Sequence, residues 1–113
     1  MKRVKVTWSP QEMGDVIDFL MYYGHLHEPA QLRLKDLYPV QLLVAQMTAT
    51  ICTRMLLQMR KVALQPKPRY KIGFPPEYAQ ALVCAWLEPT INPNHALWPF
   101  AEIAIGNIHQ QLV

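Results

Sequence analysis

The residues best placed to do chemistry are cations spaced two apart. In Arg3-Val4-Lys5-Val6-Thr7-Trp8, three apolar residues alternate with Arg3, Lys5 and Thr7. An extended backbone sends the two sets to opposite faces. Arg69-Tyr70-Lys71-Ile72-Gly73-Phe74 has the same pattern, with Tyr70, Ile72 and Phe74 on one side and Arg69 and Lys71 on the other. Cations on one face of a ribbon can neutralise phosphates, and a two-stranded ribbon is narrow enough to enter a DNA major groove. The same placement also serves without a ligand, because lysines on an exposed strand discourage edge-to-edge pairing. Tyr70 could stack a base, but its alternation with Ile72 and Phe74 assigns it to the core.

The net charge of +3 hides this segregation. Residues 1–11 carry +3, residues 12–53 carry −3, residues 54–71 carry +6 with no acid, and residues 72–113 carry −3. Arg54, Lys61 and Lys67 read as ordinary surface charge. The basic groups that could act together are those entering the two alternating stretches.

Other chemistry has less support. His25-Leu26-His27-Glu28 offers two imidazoles and a carboxylate, but H-x-H without a third spaced ligand reads as a solvated loop. His95 and His109 fall in or near the last helical segment and take no assigned role. Cys52 and Cys84 have no C-x-x-C partner and sit in apolar helical patterns, so buried reduced thiols are expected. Gly14, Gly24, Gly73 and Gly106 build no phosphate loop or nucleophile elbow. No catalytic residue, metal or cofactor is implied, and a non-enzymatic protein is expected.

Several elements must position these groups. Ser9-Pro10-Gln11-Glu12 reads as a capping box with proline in the first turn. Met13, Val16, Ile17, Leu20 and Tyr23 then line one helical face, Gln11, Asp15, Asp18 and Tyr22 face away, and Gly24 is the expected stop. Residues 25–37 are ambiguous, with a short helix allowed from Gln31 to Leu37. Pro39 opens the longest element, running to about Leu64. Val40, Val44, Met47, Ile51, Met55, Met59 and Val62 form one stripe, and Leu42, Ala45, Ala49, Cys52, Leu56 and Ala63 form an adjacent one. An apolar arc this wide predicts the central helix. Gln65-Pro66-Lys67-Pro68 breaks it. A third helix is expected from Pro75-Pro76 to about Glu88, Asn92-Pro93-Asn94 as a turn, and a last helix to Leu112.

Residues 4–21 laid over 70–87, an offset of 66, match every apolar residue of the first segment with an apolar one. Lys5 meets Lys71 and Pro10 meets Pro76. With the shared order of strand, proline start, helix, breaker and helix, this predicts a pseudo-repeat of residues 3–65 and 69–112 within a single domain spanning 1–113. The expected fold is α+β and mostly helical. It is a tandem β-α-α repeat with one two-stranded β-ribbon packed on a bundle of about four helices.

The run Val4-Lys5-Val6-Thr7-Trp8-Ser9-Pro10, followed by an amphipathic helix, resembles the start of the ribbon-helix-helix DNA-binding family, and Arg69 to Pro76 is similar. In that family two such strands pair antiparallel. By position, the resemblance implies that Arg3, Lys5, Thr7, Arg69 and Lys71 face DNA. The chain departs from the family in the dozen residues after Gly24, in its unusually long next helix, and in Gly73, which lacks a side chain where Thr7 has one.

The sequence therefore points to a small binding or accessory protein with nucleic acid, DNA above all, as partner. The alternative is a protein-interaction module whose apolar helix faces meet a partner or a second copy. Met1-Lys-Arg is not followed by a signal-type apolar run, and Leu42–Met59 is broken by Gln46, Thr48, Thr50, Thr53, Arg54 and Gln58. No membrane association and a cytoplasmic location are expected.

Overall fold

Each alternating stretch forms a five-residue strand, β1 at Val4–Trp8 and β2 at Tyr70–Phe74. The computed structural model describes residues 3–28, 37–89 and 91–112. The expected short helix at Gln31–Leu37 lies, but for Leu37, outside them. Neither strand can satisfy its backbone alone, and the two pair antiparallel as the only sheet among the described residues. Val4 faces Phe74, Lys5 faces Gly73, Val6 faces Ile72, Thr7 faces Lys71 and Trp8 faces Tyr70. The inner residues are buried at all six positions.

Among the described residues four α-helices lie under the ribbon, giving a mostly helical α+β fold. Helix α1 (Pro10–Leu26) opens with the expected capping box: Ser9 Oγ accepts from Glu12 N–H, and Glu12 Oε1 accepts from Ser9 N–H. Helix α2 spans Pro39–Val62, α3 spans Pro76–Trp86 and α4 spans Pro99–Leu112. A 3-10 turn at Asn92–Leu97 stands where a simple turn was expected. Each of α1 and α3 packs against both α2 and α4, while β1 rests on α1 and α4 and β2 on α3. Phe19 anchors the middle of the core, edge-on to Trp86 at 5.0 Å and to Trp98 at 5.5 Å.

The residues matched at offset 66 occupy matching places. Val6 and Ile72 face each other at the ribbon's centre, the register that a twofold-related pair of strands would adopt. Met13 and Ala79, Val16 and Leu82, Phe19 and Ala85, and Leu20 and Trp86 are all buried, whereas Met21 and Leu87 are both exposed.

Four expectations need correction. First, Gly24 does not stop α1, which continues to Leu26. No glycine has positive φ, so Gly24 stays helical and His27 caps the end. Second, α2 is not central. Only Cys52, Met55 and Met59 are buried, and Val40, Leu43, Val44 and Met47 of its first half stand 55–72% exposed. The buried spacing Cys52-Met55-Met59 matches Ala101-Ala104-Ile108 of α4, so α4's Pro99 corresponds to Thr50. The segment from Pro39 to Ala49 is an overhang beyond the core.

Third, α2 is less interrupted than its polar residues suggested. Thr50 and Thr53 donate their hydroxyls to the carbonyls of Gln46 and Ala49 at 2.9 Å. Over 18 residues its mean hydropathy is 1.4 with 11% of the window buried, enough by length and composition alone to cross a membrane. Fourth, Cys84 is exposed. It shares the outward stripe of α3 with Glu77, Gln80 and Leu87.

Candidate nucleic-acid interface

The pleat of the ribbon sorts its residues. With Val4, Val6, Trp8, Tyr70, Ile72 and Phe74 committed inward, Lys5, Thr7 and Lys71 must face solvent, and all three are exposed. Arg3 and Arg69, one residue ahead of each strand, are exposed as well. Arg3, Lys5, Thr7 and Lys71 thus share one outer face, and Arg69 is exposed just ahead of β2. Lys5 lies opposite Gly73 and Lys71 opposite Thr7, so the two lysines sit on a diagonal. They outline a shallow depression of about 430 Å³ with Arg3, Thr7 and Gly73.

No acid among the described residues pairs with these cations. Among the described residues the ion pairs all involve histidine, and none reaches Arg3, Lys5, Arg69 or Lys71. Among the described residues, the charge of this face is not neutralised by ion pairing.

The scaffold behind the face is rigid. Trp8 and Phe74 pack at 5.8 Å between ring centres. Tyr70 is a core residue, as its alternation predicted. Its hydroxyl donates to the Gln65 carbonyl at 3.2 Å and accepts from Lys67 N–H at 3.3 Å, closing the proline-rich loop. Gln111 of α4 donates to the Lys5 carbonyl at 3.0 Å, tying the edge of β1 to the last helix. Arg3 lies back across the ribbon, its Nη2 donating to the Gly73 carbonyl at 2.6 Å.

The other chemical candidates disperse. His25 is exposed and pairs with Glu28 at 3.3 Å, while His27 is buried instead of solvated. His27 Nδ1–H donates to the Tyr23 carbonyl at 3.0 Å, the ring stacks on Tyr23 at 4.0 Å, and Nε2 meets Glu88 Oε1 at 3.0 Å. It fastens the end of α1 to the end of α3. No local pattern hints at this contact, because Glu88 is 61 residues away. No group of three metal-ligating side chains forms among the described residues. His95 stacks flat on Trp86 and bonds its carbonyl through Nε2 at 2.7 Å, a packing role.

The thiols also part company. Burial pushes Cys52 up to about 12, with nearby Cys84 adding to the shift, so Cys52 is inert at neutral pH. Cys84 lines an apolar groove of about 800 Å³ with Val40, Val44, Ala45 and Leu87. At offset 66 it corresponds to exposed Asp18, a signal that could have revealed its exposure.

A scan against protein-family models and searches of curated proteins and of solved structures return no match.

Proposed function

We propose that this chain is a non-enzymatic nucleic-acid-binding protein that contacts duplex DNA through the outer face of its ribbon. The observation that carries the reading is that Arg3, Lys5 and Lys71 share one exposed face, with Arg69 exposed beside it and no carboxylate paired to any of them among the described residues. Antiparallel pairing about Val6 and Ile72 supports an internal β-α-α repeat and a resemblance to the ribbon-helix-helix family within one chain. Lys5, Arg69 and Lys71 supply affinity through phosphates, and Thr7 on the same face is available to base edges. Retention on immobilised duplex DNA at low salt tests the reading. The native chain is expected to be retained, and the doubly reversed Lys5→Glu/Lys71→Glu chain to flow through with unchanged thermal stability. Flow-through of the native chain, or equal retention of both, would defeat it.

A second reading rests on a different surface. Leu37 to Thr53 contains no charged residue, and Val40, Leu43, Val44 and Met47 recur at helical spacing on the overhang of α2. The apolar groove runs along that same helix. Ridge and groove side by side are self-complementary under a twofold axis, so two copies can cover each other's overhang. A second copy is the occupant this geometry favours. Sedimentation equilibrium showing only monomer at tens of micromolar would remove this reading.

A further inference from the structure

The two halves of the ribbon are related by position but not by chemistry. Matched outward positions are Arg3 with Arg69, Lys5 with Lys71, and Thr7 with Gly73. The first two pairs keep their charge and the third does not keep its side chain. Arg3 uses the space this leaves. Its guanidinium donates to the Gly73 carbonyl at 2.6 Å, and a Cβ built on Gly73 would meet Arg3 Nε at 3.2 Å. At the matching place Thr7 carries a branched side chain, and Arg69 makes no hydrogen bond among the described residues. One end of the face thus presents a guanidinium held flat on the backbone, and the other presents a hydroxyl and a methyl.

We infer that the ribbon reads a non-palindromic duplex in one orientation, with Arg3 over Gly73 and Thr7 as its two unlike specificity determinants. The inference rests on the ribbon being the DNA-binding face. A guanidinium pinned through one N–H keeps further donors in a fixed plane, the geometry that pairs with guanine O6 and N7. Thr7 suits a thymine methyl, with its hydroxyl free to donate or accept. Lys5 and Lys71, on the diagonal, contribute alike to both halves. The site is therefore expected to be similar under the lysines and different under Arg3 and Thr7.

Selection of bound sequences from a random duplex library, using the full chain, tests this. The native chain is expected to enrich an asymmetric site. Symmetrising either half should weaken binding roughly 5- to 150-fold, the range for loss of one good base contact. Gly73→Thr lifts Arg3 off the backbone and makes both ends threonine, and it should enrich a palindrome. Thr7→Gly gives Arg69 the same seat as Arg3 and should also restore symmetry, to a different palindrome. Because either change could disturb the strand, thermal unfolding accompanies both, and Arg3→Gln in the native background should lose preference at one half only. A palindrome selected by the native chain would overturn the inference while leaving DNA binding standing. So would asymmetry that survives Gly73→Thr, Thr7→Gly and Arg3→Gln alike, or tight binding with no enriched sequence. Absence of any retained duplex would instead remove the DNA reading beneath it.

Discussion

The ribbon face and the overhang of α2 both project from the core, and chemically they are opposites. On the ribbon every large apolar residue is buried, Gly73 is half-buried, and every exposed residue is polar or charged. On the overhang, four large apolar residues stand more than half exposed with no charge among them. A solvated cation is stable where it is, so the ribbon's exposure shows only that the face is available. An exposed apolar ridge is costly in water and calls for a cover. This chain thus presents two exposed surfaces of different kinds, one charged and one apolar, on elements that share a core.

The sharpest way to break the comparison is through stability. Phe74, fully buried behind the ribbon, should cost about 3–5 kcal/mol when truncated to Ala. Val44→Ala on the overhang should stay within about 0.5 kcal/mol. Urea midpoints measure both, and a large cost at Val44 would place the overhang in the monomer's core after all. Next in size is self-association: Leu43→Glu/Met47→Glu is expected to shift the sedimenting species to monomer while leaving the thermal midpoint near its native value. An unchanged association state would take the overhang out of the interface.

Smaller effects separate the two thiols. Iodoacetamide at pH 8 should modify Cys84 alone, with Cys52 reacting only in denaturant. Labelling of both in the native protein would contradict the burial of α2's second half. Because the Cys52 thiol is raised from 9.0 to about 12 in the fold, the unfolded chain ionises first as pH rises. Stability from this group is complete below about pH 9 and is lost between there and about pH 12. From pH 8 to pH 10.5 the native protein should therefore lose more stability than Cys52→Ala does. Equal losses would mean the thiol is not buried as described.

How much of this was legible in the sequence follows from the period of each pattern. Alternation offers only two faces, and with charges filling one of them Val4 to Trp8 and Tyr70 to Phe74 could be read residue by residue. The offset of 66 matched the two strands to each other, but which residues face each other comes from the pairing alone. Helical patterns were less decisive. On α3 the buried positions 79, 81, 82, 83, 85 and 86 run nearly round the helix, so Cys84 looked buried by composition. On α2 the apolar arc continues through the overhang, and periodicity cannot say where the neighbouring helices end. Asp15 was read as facing solvent, yet its Oδ2 accepts the Phe100 N–H at 2.8 Å and caps α4. Such contacts, like His27 with Glu88, depend on which distant segment arrives, and no local pattern encodes that.

The most direct test of the central claim is the salt dependence of duplex DNA binding by the native chain. If Lys5, Arg69 and Lys71 neutralise phosphates while Arg3 meets a base, log K should fall linearly with log[salt] at a slope of up to roughly −2.7. Lys5→Glu/Lys71→Glu should flatten it. A slope near zero, or one that the double reversal leaves unchanged, would show that the ribbon's charged face does not hold DNA.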